Sequence, residues 1–366
     1  MISKKIVIFI PSIEGGGVEK NLFSITNYLS KHFKEVVLLT SGEKYKAKFF
    51  NTKIISPFLN VENLGYRNIK YILCLIKLFF FLIFNKSNCI VFSFQANIYA
   101  IIIAKLLNKK IIVRANSSPS GWTFNKIKIK IFRKIIQMSD GIIVNSDDFK
   151  KEFDKKFKTN CKRIYNPVDI KHINKQSKKK IQTIFRKKNN LRLINIGRLV
   201  DQKDQITILK SIKLIKEKYK FKNFQLVIIG QGSLNNILKK YISENSLDEY
   251  VKILPFKKNP YPYLKQSDIF ILSSKFEGLP NVLLEAAALK IFIISTKCPT
   301  GPREILNNGK FGDLYKVGDY KNLAKLILKN KKKNYRFRTL QCFKSLKKFN
   351  YKKNLDEYLK YTQSFF

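Results

Sequence analysis

With 366 residues, 45% of them hydrophobic, the chain is long enough for two domains with separate cores and too apolar to stay disordered. Its 72 Lys plus Arg against 25 Asp plus Glu give a formal charge of +47, which points to phosphate-bearing or otherwise anionic partners. The joint abundance of Lys, Ile, Asn and Phe is also what an A/T-rich coding sequence produces. Two histidines and five scattered cysteines without a C-x-x-C pair exclude a His-based zinc site and a disulfide framework, and read as reduced core thiols of a cytoplasmic protein.

The basic, then apolar, N-terminus (MISKKIVIFIPS) reads as a first strand, because the apolar run is short and leads into Gly-rich turn chemistry. A helical stretch follows from Val18 to His32, then the strand-like EVVLLT (35–40). Tyr71–Phe84 (YILCLIKLFFFLIF) is fourteen residues with Lys77 inside, short of the ~20 that span a bilayer, and reads as a buried or interfacial helix. CIVFSF (89–94), KIIVRA (110–115) and GIIVNS (141–146) are further β-branched runs separated by helical patterns. Such alternation predicts βαβ units on a parallel sheet covered on both faces. Between Glu62 and Asp140 there are thirteen basic residues and no carboxylate; the same holds between Asp319 and Asp356. The first of these stretches, with Trp122, the aromatic run and the lysines at 126–134, predicts binding to an anionic membrane surface.

The pattern then restarts. NPVD (166–169) runs into a lysine-rich stretch, and LRLINIGR (191–198), FQLVIIGQG (224–232), VKIL (251–254), DIFILSS (268–274) and IFIIST (291–296) follow with helices between them. The reading is an N-terminal Rossmann-like domain over 1–171, a linker over 172–190, a C-terminal Rossmann-like domain over 191–349 and a surface-packed helix over 350–366. A ligand would sit in a cleft between the two domains, facing the carboxyl ends of their strands.

The densest chemistry is SSKFEGLPNVLLEAAAL (273–289). A strand delivers Glu277, Gly278 permits a turn, Pro280 suits the first helical position, and amides at Leu279, Asn281 and Val282 open a helix that carries Glu285. The plain alternative is that Glu277 caps this helix and Glu285 is an ordinary helical residue; the apolar setting LLEAAAL argues against that for Glu285. Arg198 and Lys203 follow the strand LRLINIGR, where with a helix N-terminus they offer positive charge to a phosphate-bearing ligand; a solvated basic turn is the plain alternative, and the chain has no Asp-x-Asp to hold a metal.

EGLPNVLLEA, with GRLVDQKD (197–204) upstream, EGGGVEK (14–20), NPVD, IIGQGS (229–234) and CPTGPREIL (298–306), resembles glycosyltransferase family 4, with its GT-B fold and E-x7-E motif, over nearly the whole chain. The resemblance implies retention of anomeric configuration and no cofactor. It implies that Arg198 and Lys203 bind the donor diphosphate, that Glu285 holds the ribose and Glu277 the transferred sugar. It further implies that backbone from Gly278 to Val282 cradles phosphate, and that Gly16 and Gly17 admit the diphosphate or the acceptor. It points to a UDP-sugar donor rather than GDP, to a glycan or lipid-linked acceptor in bacterial surface polysaccharide or lipopolysaccharide assembly, and to the inner face of the cell membrane. Many relatives carry a histidine after the strand corresponding to KIIVRA; here Arg114 and Asn116 are the nearest polar groups and stand as candidate acceptor-side residues, a structural arginine being the alternative. Rival readings are a nucleotide-sugar epimerase, a GDP-sugar transferase, and a non-catalytic basic nucleic-acid binder; no recognition motif specific for nucleic acid supports the last.

Overall fold

The computed structural model describes residues 2–14, 16–57, 67–85, 88–122, 125–185, 191–332 and 334–366. The chain divides into two compact units, one of Met1–Pro167 with Tyr351–Phe366 and one of Val168–Asn350.

In the first unit the chain runs β1 (Ile2–Phe9), α1 (Gly17–Leu29), β2 (Phe33–Leu39), β3 (Lys53–Ile55), α2 (Arg67–Phe84), β4 (Cys89–Ser93), α3 (Asn97–Leu106), β5 (Lys110–Arg114), α4 (Lys126–Gln137), β6 (Gly141–Val144), α5 (Asp147–Phe157) and β7 (Lys162–Arg163). Among the described residues these strands form one parallel sheet in the order β3-β2-β1-β4-β5-β6-β7. Both faces are buried, so the strands read as continuous apolar runs. Cys74, Leu78 and Leu82 of α2, Ala100 and Ala104 of α3 and Phe149, Phe153 and Phe157 of α5 pack on one face. Leu22, Ile25 and Leu29 of α1 pack on the other.

The second unit runs α6 (Ile170–Ser177), β8 (Leu191–Ile196), α7 (Gln205–Glu217), β9 (Phe224–Ile229), α8 (Asn235–Glu244), β10 (Val251–Leu254), α9 (Tyr261–Lys265), β11 (Ile269–Leu272), α10 (Asn281–Ala288), β12 (Phe292–Thr296), α11 (Pro302–Ile305), β13 (Asp313–Tyr315), α12 (Tyr320–Lys329) and α13 (Arg336–Ser345). Its parallel sheet has the order β10-β9-β8-β11-β12-β13. Arg192 of β8 reaches Asp268, just before β11, through Nη2–Oδ1 at 2.8 Å and Nε–Oδ2 at 3.2 Å. The two domains are Rossmann-like α/β units, as the alternation of runs predicts.

Two segments differ from expectation. The stretch read as a linker over 172–190, of which 186–190 lie outside the described residues, overlaps α6 up to Ser177; the N-cap Asp169 of that helix accepts the His172 amide at 2.8 Å and Ile173 is buried. Its lysines line the outside of a helix that packs on α9 and α10. The C-terminal helix α14 (Tyr351–Gln363) is not surface-packed; Leu355 and Tyr358 are buried beside Leu22 and Phe33 in the first unit's core. Burying each such side chain contributes about 1.5–3 kcal/mol.

Candidate active site

In the second unit β8 and β11 are neighbours, and the sheet is wound outward from them in opposite directions. Loops leaving the carboxyl ends of such a pair diverge, which makes this edge the natural seat for a ligand in an open α/β sheet. Arg198 and Lys203 follow β8 and Glu277 follows β11, so the predicted residues converge on that switch point.

Lys203 Nζ lies 2.5 Å from Glu277 Oε1, and Ser274 Oγ donates to the same oxygen at 2.6 Å. The Glu277 side chain is only 9% exposed, and a pair this buried persists because hydrogen bonds offset its desolvation. Oε2 makes no hydrogen bond among the described residues, so one carboxylate oxygen is clamped and the other is left to a ligand. Glu277 therefore does not cap α10. Arg198 is exposed, and its guanidinium makes no hydrogen bond or ion pair among the described residues. Its carbonyl is held by Gln205 Nε2 at 2.9 Å, which fixes the backbone and leaves the side chain available.

The turn bearing Glu277 is fastened from three sides. Thr300 Oγ1 donates to the Glu277 carbonyl at 2.5 Å and to that of Gly278 at 3.2 Å. Gln202 Nε2 donates to the Phe276 carbonyl at 2.9 Å, and the Lys275 amide to the Gln202 carbonyl at 2.8 Å. Thr296 Oγ1 holds the Ser274 carbonyl at 2.8 Å. Gly301, at φ +86°, passes so close that a Cβ there would lie 2.2 Å from the Gly278 oxygen. Sequence reasoning missed Ser274, Gln202 and Thr300 as supports; CPTGPREIL carried Thr300, but nothing local ties it to a turn more than twenty residues away.

Pro280 is the N-cap of α10, not its first helical residue, and Asn281 opens the helix. Gly278, Leu279 and Pro280 are buried in the turn, while Asn281 and Val282 are partly exposed. Glu285 is buried within α10, where Tyr261 Oη donates to its Oε1 over a long 3.4 Å. Asp204, in a left-handed conformation at the start of α7, accepts Thr207 Oγ1 at 2.6 Å; burial raises its carboxyl above the usual range against the lowering effect of that bond.

In the first unit Gly16 is the N-cap of α1 and Gly17 its first residue, beyond the carboxyl end of β1 and next to β4, where that sheet has its own switch point. Buried Glu19 folds this loop, accepting the Glu14 amide at 3.3 Å. Gly15 lies outside the described residues. The two acceptor-side candidates are engaged within the fold. Arg114 is fully buried, donating through Nε to Tyr358 Oη at 2.9 Å, through Nη2 to Asn166 Oδ1 at 2.7 Å and through Nη1 to Asn116 Oδ1. Asn116 spends its own amide on the Phe94 carbonyl at 2.6 Å. Arg114 thus ties β5 to α14, and Asn116 links it to the Phe94 carbonyl. Trp122, read as part of a membrane patch, packs on Phe153 and Phe157 instead.

All five cysteines are buried and unpaired, and burial pushes the Cys74, Cys298 and Cys342 thiols up to about 12, out of the reactive range. Among the described residues no group of three or more His, Cys, Asp or Glu is placed to hold a metal.

The model of Glycosyltransferase Family 4 matches residues 15–172, and that of Glycosyl transferases group 1 matches 176–353. An uncharacterized glycosyltransferase of Methanocaldococcus jannaschii is 33% identical over 298 residues, 76% of this chain and 71% of its own. The N-acetylgalactosamine-N,N'-diacetylbacillosaminyl-diphospho-undecaprenol 4-alpha-N-acetylgalactosaminyltransferase of Campylobacter jejuni is 28% identical over 86% of each chain. HepE of Anabaena, solved in complex with UDP and glucose, superposes with a TM-score of 0.78 at 16% identity, over 99% of this chain and 100% of its own. A family 4 domain followed by a group 1 domain, on two Rossmann-like sheets, makes this chain a member of the GT-B glycosyltransferases.

Proposed function

We propose that the chain is a retaining, metal-independent glycosyltransferase that takes a sugar from a UDP-sugar. The acceptor is a glycan or lipid-linked sugar in bacterial surface polysaccharide or lipopolysaccharide assembly, and the enzyme works at the inner face of the membrane. The carrying observation is Glu277, with Oε1 clamped by Lys203 and Ser274 and Oε2 open, one strand away from the unpartnered guanidinium of Arg198. As the bond from the sugar's anomeric carbon to the diphosphate breaks, its electron pair moves to a phosphate oxygen. Arg198, Lys203 and the N-terminal amides of α10 stabilise that charge without a metal or a cofactor. Oε2 of Glu277 accepts a hydroxyl of the transferred sugar, and Glu285 holds the ribose. The choice of UDP follows the ligand named with HepE, and a lipid-linked acceptor follows the name of the Campylobacter enzyme. The +47 charge draws phosphate in general and makes any binding to nucleic acid unspecific and salt-sensitive.

A donor screen tests this reading. Calorimetry over a panel of UDP-sugars and GDP-sugars in excess EDTA should find one UDP-sugar bound, with Glu285→Gln weakening it by roughly tenfold to a hundredfold. Tight binding to GDP-sugars alone, or binding that returns only with added magnesium, overturns it.

A further inference from the structure

IIGQGS (229–234), between β9 and α8, has the G-x-G spacing of a phosphate-binding loop, yet its first glycine is engaged inside the protein. The Gly230 amide donates to the Leu254 carbonyl at 3.0 Å, and a Cβ on Gly230 would lie 1.9 Å from the Gly197 oxygen, the carbonyl of the peptide that leads into Arg198. Only a glycine lets the two backbones lie this close. Further bonds join the two loops. The Gly197 amide donates to the Ile229 carbonyl at 3.0 Å, the Leu199 amide to that of Gln231 at 2.9 Å, and the Leu234 amide to that of Leu199 at 3.0 Å. Leu199 itself is buried in the core of the unit. Arg198 is therefore an exposed residue between two residues whose backbone is pinned. Lys203, at the other end of the same loop, is held from β11: fully buried Ser273, just past that strand, donates its hydroxyl to the Lys203 carbonyl at 2.6 Å.

A cationic side chain on a free loop loses much of its affinity for phosphate to the ordering of its own backbone. On a backbone ordered beforehand that loss is absent. We infer that Gly230 and Ser273 are positioning residues: the glycine seats Arg198 and the serine seats Lys203, so that both cations stand ready for the donor diphosphate. IIGQGS then acts through Arg198 and does not itself cradle phosphate. This rests on the roles given above to Arg198 and Lys203, and adds what holds them in place.

The test is calorimetry of UDP and of UMP, read as the selectivity for UDP that the second phosphate supplies, with urea unfolding followed for each variant. A merely structural weakening lowers the folded fraction, or both affinities together, and leaves that ratio unmoved. Gly230→Ala and Ser273→Ala should each lower the ratio by about tenfold, as Arg198→Ala does. Because Gly230 acts through Arg198, adding Gly230→Ala to Arg198→Ala should lower it no further. Should Gly230→Ala not fold, Ser273→Ala combined with Lys203→Ala completes the same cycle. An unchanged ratio in either Gly230→Ala or Ser273→Ala, beside a loss in Arg198→Ala, overturns the inference. So does a Gly230→Ala loss that adds in full to that of Arg198→Ala, which would mean that the glycine loop touches phosphate itself. An Arg198→Ala chain that keeps full selectivity overturns the reading of the site, and the inference with it.

Discussion

Arg114 closes β5 in the first unit and Arg198 follows β8 in the second, and both are arginines at the carboxyl end of a parallel strand. Their surroundings are opposite. Arg114 is fully buried, with its guanidinium donating to three neutral oxygens and lying over the Phe94 ring. Arg198 is exposed and has no side-chain partner among the described residues. The difference follows from topology. β8 is half of a switch pair, so the loops beyond it part; β5 sits between β4 and β6, one strand past its own switch point, and α14 closes over its end. Position at a strand end therefore does not make a basic residue a ligand. What matters is whether the neighbouring strands wind apart there and whether its donors are already taken.

The sharpest test of that contrast sets the two arginines side by side. Arg198→Ala should leave the melting temperature unchanged while kcat/KM falls about a hundred- to a thousandfold, a loss of ~2.7–4 kcal/mol of transition-state stabilisation. Arg198→Lys should recover part of this, since charge remains without the fork geometry. Arg114→Met should do the reverse, costing on the order of 3 kcal/mol in urea unfolding because Tyr358, Asn166 and Asn116 each lose the guanidinium donor, with donor affinity intact. A stable Arg114→Met enzyme that loses only turnover would break the distinction.

A smaller effect probes how the open strand end is held. Thr300→Val removes the hydroxyl from the Glu277 and Gly278 carbonyls, and should lower kcat by about tenfold while Thr300→Ser restores it. Valine keeps the methyl and loses the hydroxyl while serine does the reverse, so a loss in Thr300→Ser with Thr300→Val unaffected would mean that the methyl packing, not the hydroxyl's hold on the turn, is what matters.

The smallest effect expected is at Asp204. Burial raises its carboxyl, so the folded chain binds that proton more tightly than the unfolded chain; stability is full at low pH and part of it is lost as pH rises from the unfolded pKa through the folded one. Asparagine keeps the acceptor for Thr207 and suits the left-handed backbone. Asp204→Asn should thus be slightly more stable than wild type at neutral pH, by less than about 1 kcal/mol, with the gap closing in acid. A gap that widens in acid would reverse the sign and the cause.

Much of this was legible in the sequence because its signals are local. β-branched runs such as FQLVII and IFIIST are sheet interiors, and Glu277, Lys203 and Arg198 sit within loops whose neighbouring strands announce themselves. What was missed depends on chain that returns from afar. Arg114 looks like a ligand until Tyr358 is placed against it, 244 residues later. α6 looks like a linker because Ile170 and Ile173 are its only apolar residues, and its packing on α9 supplies the stability that its composition does not show. Thr300 is silent for the same reason: its partner is a backbone carbonyl, which leaves no trace in residue type.

The return of α14 to the first unit also sets an order of assembly during translation. The second unit, Val168–Asn350, is one unbroken stretch and has all its parts as soon as it leaves the ribosome. The first unit begins earlier yet waits for Tyr351–Phe366, so its sheet stands without the cover over β5 while 183 residues are made, roughly ten to forty seconds at about 5–20 residues per second. In that interval the guanidinium of Arg114 lacks Tyr358, and the apolar face around Phe33 and Leu22 lacks the cover of α14. The domain that starts first is the last to finish.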